Sequence, residues 1–326
     1  MFHSLKKILD PYLSKWNHPV LHSRVHLLQG FGDDFWVKRD DELSFGASGS
    51  KVRKFASLIS ALKEGAFHEV AVIGGHHSNS VLASAQFLRE AGIPFHGFLF
   101  GRGDLDGMSN GWFRELLWGD YKVTWVGNNE KESPLEKART YQKYQMEVGH
   151  KVFVLPEGAS CRESIPGGLT LACDILTNEY SHGLRFENIV IDSGTGFMAH
   201  CLYLGMAYLK RSPKIHVVLM AENEESFMHN FERLKADTIR LFGALPEGPK
   251  PTFCFYKPVT AKSFGAVNAT VFNEVRNLAV SEGILADPVY NAKLFMTARQ
   301  LRGDGQLQGE SLIIHSGGTL SLSGFA

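Results

Sequence analysis

Lys51 lies in the stretch FGASGSKVRKF, residues 45–55, behind two glycines and three small residues and ahead of an apolar run. A lysine so placed can help a glycine loop cradle a nucleotide phosphate, or it can react itself. The phosphate-loop pattern G-x-x-x-x-G-K-[ST] needs lysine directly after the second glycine and a hydroxyl after the lysine. Only two residues separate Gly46 from Gly49, Ser50 intervenes before Lys51, and Val52 follows it. The preceding RDDELS is charged and does not read as a buried strand delivering a phosphate loop. The nucleotide reading therefore fails. A lysine at a helix start sits at the positive end of the helix dipole, here with Arg53 and Lys54 close in sequence, and both effects lower its pKa. The neutral amine so favoured attacks an aldehyde to give a Schiff base.

Two other stretches could complete such a site. DSGTGFMAH places Ser193, Gly194, Thr195 and Gly196 between the strand-like NIVI and a helix. Backbone N–H groups and two hydroxyls there can cup a phosphate at a helix N-terminus, although a plain strand–helix turn has the same residues. The turn lacks G-x-G-x-x-G spacing, so a dinucleotide is not indicated. IGGHHSNSVL ends a strand in Gly74 and Gly75 and then offers Ser78 and Asn79 at the start of a helix. His76 and His77 adjoin them, but neighbouring histidines on a bend rarely share an ion and no carboxylate is spaced to help. No metal is expected, and His77 reads as a packing or substrate contact. HHSNS is not the nucleophile elbow of a serine hydrolase.

The elements that must position these residues alternate between β-rich and helical runs. FWVKRD, HEVAVIGG, PFHGFLFG, KVTWVG, KVFVLPEGA, ENIVIDSGTG, KIHVVLMA, TFCFYK and SLIIHSGG read as strands. Helical spacing begins near Ser50, with Val52, Phe55, Leu58, Ile59 and Leu62 on one face. Further helices are expected in NSVLASAQFLREAG, NGWFRELLW, PLEKARTYQKYQMEV, GLTLACDILTNEY, FMAHCLYLGMAYLK, EESFMHNFERLKADTIRLFG, TVFNEVRNLAVSEGI and VYNAKLFMTARQL. This alternation predicts an α/β fold with largely parallel sheets flanked by helices, its ligands bound beyond the carboxyl ends of strands. The segment ASCRESIPGG is the expected crossing between two lobes.

The whole chain sets bounds on partners. Its 326 residues carry 34 lysines plus arginines against 34 aspartates plus glutamates, so no global field recruits nucleic acid or an anionic membrane. Four scattered cysteines without a C-x-x-C pair read as reduced thiols of a cytoplasmic protein. No signal-peptide pattern opens the sequence, and no apolar run reaches the ~18 residues of a membrane span.

Taken in order, VKRDDELSFGASGSKVRKF, IGGHHSNSVLASAQFL, LPEGAS, DSGTG, DPVYNAK and IIHSGG resemble the fold-type II pyridoxal-phosphate enzymes of the 1-aminocyclopropane-1-carboxylate deaminase/D-cysteine desulfhydrase family. The resemblance runs from about residue 35 to residue 318. It implies a tryptophan synthase β-like fold with two domains. Residues 1–51 plus 161–326 would form the large cofactor-binding domain and 52–160 a small inserted one, in a homodimer. Lys51 would hold pyridoxal 5'-phosphate and move the substrate proton. Asn79 would bind the cofactor's phenolic oxygen, Ser78 would contact the substrate carboxylate or assist proton transfer, His77 would contact the small amino acid substrate, and Ser193–Gly196 would bind the phosphate.

Tyr290, in DPVYNAK, would act near the reacting carbon. Three departures from the family pattern stand out. Ser48-Gly49-Ser50 replaces Gly-Gly-Asn before the lysine, Phe264 stands where a tyrosine is usual, and Asn291 stands where the cyclopropane deaminases carry a glutamate facing the pyridine nitrogen. A neutral group there makes the ring a weaker electron sink, which favours β-elimination of a good leaving group. The resemblance thus points to a D-cysteine desulfhydrase-like lyase. The cyclopropane deaminase is the alternative, and a cofactor-binding protein with little turnover is the alternative of another class.

Overall fold

The computed structural model describes residues 2–16, 21–75, 78–100, 116, 119, 121–127 and 131–325. The first half of the chain runs α1 (Phe2–Leu13), β1 (Val25–Leu27), β2 (Phe35–Lys38), α2 (Ser50–Glu64), β3 (Glu69–Gly75) and α3 (Asn79–Glu90). β4 (Phe95–Phe100), β5 (Val123–Val126), α4 (Pro134–Glu147) and β6 (Val152–Leu155) follow. The second half runs α5 (Ile165–His182), β7 (Asn188–Ser193), α6 (Phe197–Tyr208), β8 (Lys214–Leu219) and α7 (Glu224–Phe242). It ends with β9 (Thr252–Tyr256), α8 (Ala269–Glu282), α9 (Asn291–Gly303) and β10 (Ser311–Ile314). The helix expected in NGWFRELLW lies, apart from Leu116, outside the described residues.

The strands form two sheets. One has the order β1-β2-β10-β7-β8-β9 and is parallel except for β1, which runs antiparallel to β2. The other has the order β5-β4-β3-β6 and is parallel throughout. Period-2 alternation explains how each sheet holds helices on both faces. In the larger sheet Ile189, Ile191, Leu312 and Ile314 pack into one core with residues of α5 and α6, while Val190 and Ile313 point the other way into a core with α8 and α9. In the smaller sheet Val70 and Val72 meet α2 and α3, and Ala71 and Ile73 meet Ala138 of α4.

Helix α2 is tied to the larger sheet by buried charge. Arg53 grips Asp40, just beyond β2, through Nε and Nη2 at 2.6 and 2.7 Å, and its Nη2 also donates to Asp174 of α5 at 2.6 Å. Lys38 Nζ reaches the same Asp174 at 2.6 Å and donates to Asn178 Oδ1 at 2.7 Å. Gly167 of α5 lets the two helices touch, since a Cβ there would fall 1.9 Å from the Arg53 carbonyl oxygen. Between β6 and α5 the chain turns through two short 3-10 segments, Glu157–Ala159 and Arg162–Ser164, in the stretch expected to join the lobes.

Candidate active site

Lys51 stands in the first turn of α2, two residues after Gly49, which is the helix N-cap. Gly49 adopts φ 69°, ψ −137°, which a side chain disfavours, and a Cβ on it would stand 1.8 Å from the Ser316 carbonyl oxygen. Ser50 N–H donates to that same oxygen at 3.1 Å, so the lysine loop and the turn after β10 interlock. Gly317 faces Ser48 from the other side, at 2.8 Å for a virtual Cβ. Lys51 Nζ donates to Ser50 Oγ at 3.3 Å and lines a small cavity with Gly46, Ala47, Asn79, Leu82 and Leu320.

Burial lowers the pKa of Lys51, against the opposing attraction of Asp192 and Asp287. The sequence reading credited the helix dipole and the cations Arg53 and Lys54. Desolvation is the leading cause instead, and the Arg53 guanidinium is turned away onto Asp40 and Asp174.

Asn79 begins α3, its amide nitrogen 2.7 Å from where a Cβ on Gly318 would lie, and so adjoins Lys51. Ser78 caps the same helix, its Oγ accepting from Ser80 N at 3.1 Å. His77 lies outside the described residues. Tyr290 reaches the site from the segment before α9. Its ring stands 3.3 Å from a virtual Cβ on Gly194, and Phe264 packs on it edge-to-face at 6.2 Å. Burial, then Asp192, Asp287 and Glu157, raise the Tyr290 pKa, so its phenol stays protonated and can donate. Asn291 is completely buried and engaged within the protein. Its Nδ2 donates to Asp287 Oδ2 at 2.5 Å and to the Gly317 carbonyl at 2.7 Å, and its Oδ1 accepts from Ser316 N at 3.0 Å.

The Ser193–Gly196 turn leads into α6. Gly196 takes the left-handed φ of 73° at the helix N-cap, and the first turn of α6 carries no acidic residue. Its leading N–H groups lack intrahelical acceptors and point at the turn. Thr195 Oγ1 pairs with Ser160 Oγ at 2.8 Å, whereas the Ser193 hydroxyl donates to Glu222 Oε1 at 2.8 Å. Lys54, one turn after Lys51 on the same face of α2, sits 4.8 Å above the Phe197 ring and donates to the Gly158 carbonyl at 2.8 Å. Burial and then the neighbouring Lys51 bring its pKa down to about 7.

No ion pair holds Lys54 among the described residues. A buried amine beside a glycine-lined helix N-terminus fits a bound phosphate, and a second buried amine one turn away fits an aldehyde. Lys54, Ser160, Glu222 and Asp192 escaped the sequence reading. Lys54 carried a signal in its three-residue spacing from Lys51, Asp192 and Ser160 lie within the DSGTG and LPEGAS motifs without being distinguished there, and Glu222 comes from the turn after β8.

Two parallel sheets with a buried lysine and an anion cradle between strand ends define a pyridoxal-phosphate enzyme of fold type II. The chain belongs to the pyridoxal-phosphate dependent enzyme family, which matches residues 16–317. A Pyrococcus furiosus protein provisionally named a 1-aminocyclopropane-1-carboxylate deaminase is 24% identical over 96% of this chain and 93% of its own. A rice protein (Oryza sativa subsp. japonica) provisionally named D-cysteine desulfhydrase 2 is 25% identical over 90% of this chain and 79% of its own. In fold, the chain superposes on a solved homologue of 1-aminocyclopropane-1-carboxylate deaminase with a TM-score of 0.81 at 22% identity, covering 97% and 95% of the two chains.

Proposed function

We propose that this enzyme removes the Cα proton of a small amino acid through Lys51 and eliminates a β-substituent, with D-cysteine as the favoured substrate. The products are ammonia, a 2-oxo acid and, from cysteine, sulfide, with one water consumed. Pyridoxal phosphate supplies the electron sink that makes the Cα–H acidic. The observation that carries the reading is the part-buried amine of Lys51 lining the cavity, on a loop whose Gly49 and Ser50 pack against Ser316, with its pKa lowered by desolvation.

Lys54 and the Ser193–Gly196 turn bind the phosphate, mainly through backbone N–H groups because the Ser193 hydroxyl serves Glu222. Asn79 binds the cofactor beside Lys51, and Ser78 and His77 bind the substrate carboxylate. Tyr290, kept neutral, donates a proton to the leaving group, with Phe264 as an apolar wall behind it. Asn291 brings no charge to the cofactor, which supports elimination of a good leaving group over ring opening. Residues 1–51 with 161–326 form the cofactor-binding domain and 52–160 the insert, consistent with the membership of the two sheets. We read the protein as a cytoplasmic homodimer. The four free cysteines favour a reducing compartment, and no helix among the described residues is long and apolar enough to cross a membrane.

Cyclopropane ring opening is the second reading, favoured by the Pyrococcus relative's name. A panel of D-cysteine, other β-substituted amino acids and 1-aminocyclopropane-1-carboxylate, scored for ammonia, 2-oxo acid and sulfide, separates the two. Sulfide from D-cysteine at the highest kcat/KM is the expected result. A yellow protein inert to the whole panel would leave cofactor binding with little turnover. A colourless protein that ignores added pyridoxal phosphate would overturn the reading itself.

A further inference from the structure

Four acids lie around the site of Lys51 and Tyr290, and two of them, Asp287 and Glu222, are held by hydrogen bonds. Asp287 takes four N–H groups: Oδ1 accepts from Val289 N and Tyr290 N at 2.9 and 2.8 Å, and Oδ2 from Asn291 N and Nδ2 at 3.0 and 2.5 Å. Glu222 holds the Ser193 hydroxyl behind the phosphate turn. Glu157 faces Tyr290 from the turn after β6.

Asp192, at the carboxyl end of β7, differs. Its Oδ1 is the buried carboxylate oxygen without a hydrogen-bond partner among the described residues. The Ser316 hydroxyl reaches the same carboxylate, the Ser316 carbonyl accepts from Ser50 N at 3.1 Å, and Lys51 Nζ donates to Ser50 Oγ at 3.3 Å. Ser316 thus adjoins both Asp192 and the lysine loop. An orphaned carboxylate oxygen is costly to bury unless a cation faces it in the working state.

We propose that Asp192 is the charge partner of Lys51, a positioning residue whose free oxygen balances the positive charge at the lysine nitrogen. The assignment rests on the reading of Lys51 as the cofactor's anchor. The other groups around it act in known directions. Lys54 competes for Asp192, Asp287 adds to the negative field, Tyr290 stays neutral, and Ser316 stabilises the ionised carboxylate. Lys51 feels Asp192 ahead of Asp287, and burial raises the pKa of Asp192 itself.

The test is Asp192→Asn in the full chain, read in two ways. With cofactor bound, the pH midpoint of the visible absorbance should fall by about one unit or more, the size of effect expected from removing a close opposite charge. In cofactor-stripped protein, the pH dependence of trinitrobenzenesulfonate labelling, mapped to the Lys51 peptide, should move the same way. Ser316→Ala, which weakens the carboxylate without removing it, should shift both midpoints in the same direction by less, and it serves if Asp192→Asn does not fold. Unchanged midpoints in folded variants that still bind cofactor would overturn the charge-partner role and leave Lys51 as the anchor. Wild-type protein that takes up no cofactor would overturn the underlying reading instead.

Discussion

Gly49 and Ser316 meet with no space for a side chain: a Cβ on the glycine would lie 1.8 Å from the serine carbonyl oxygen. Residues 267 positions apart in sequence thus set where Lys51 stands. Gly49→Ala must either push the turn after β10 away or abandon φ 69°. The backbone strain alone is about 1–3 kcal/mol. We expect a lower Tm and at least tenfold weaker retention of pyridoxal phosphate, measured by absorbance after dialysis. Full cofactor occupancy with an unchanged Tm would contradict the interlock.

The Arg53–Asp40–Asp174 cluster anchors α2 to β2 and α5. Removing one partner leaves buried charges uncompensated, at a cost of about 3–5 kcal/mol. Arg53→Met should lower the unfolding free energy from urea titration by that margin, whereas a surface pair such as Lys15–Glu64, with both side chains half exposed, should contribute less than about 1 kcal/mol. Equal effects at the two places would count against the cluster as an anchor.

Lys54 gives the phosphate site a pH dependence of predictable sign. Its folded pKa of about 7 lies below the ordinary lysine value of 10.5, so between these limits the unfolded chain holds more protons and stability rises with pH. Anion binding works the other way. A phosphate favours the ammonium, so its affinity should weaken as pH rises from about 7 toward 10. Calorimetric titration of inorganic phosphate into cofactor-stripped protein reads this slope. Lys54→Met should remove the slope and cost about 10–100-fold in affinity, the worth of a charged hydrogen bond.

Tyr290→Phe removes the phenol that the field of Asp192, Asp287 and Glu157 keeps protonated. Loss of a positioned proton donor costs about 10²–10⁴ in rate. We expect kcat to fall within that range while cofactor binding is retained, because the ring still packs on Gly194 and Phe264. An unchanged kcat would move the proton donor elsewhere.

Asn291→Glu, which from sequence alone reads as a switch toward ring opening, has a different expected outcome in this fold. The new carboxylate would lose the donations to Asp287 and Gly317 and would meet Asp287 as a like charge. A destabilised protein, seen as a Tm lowered by several degrees, is the expected result, with no gain in turnover of the cyclopropane acid. A stable variant with a changed ratio of products would restore the simpler view.

The lysine and its fold were legible because local patterns carry them: small residues before Lys51, helical spacing after it, and strands alternating with helices. Arg53 was misread because sequence proximity was taken for spatial proximity. Positions two apart on a helix face different ways, so Arg53 leaves the site while Lys54, three apart, stays in it. The contacts of Asp192, Ser193 and Asn291 depend on partners brought by other strands and turns, Asp287 excepted, and no local pattern announces them. Asp287 does lie in the same DPVYN segment, but as a cap on its own backbone it looks like any turn aspartate.

β10 sits between β2 and β7, so the larger sheet is divided until residues 311–314 arrive. The Lys51 loop leans on the turn that follows that strand. On the ribosome, where the N-terminal part emerges first, the lysine is therefore made early and placed late. The contact between the Lys51 loop and the turn after β10 cannot form before residues 311–317 are made. Assembly of the lysine cradle therefore waits on the insertion of one short central strand.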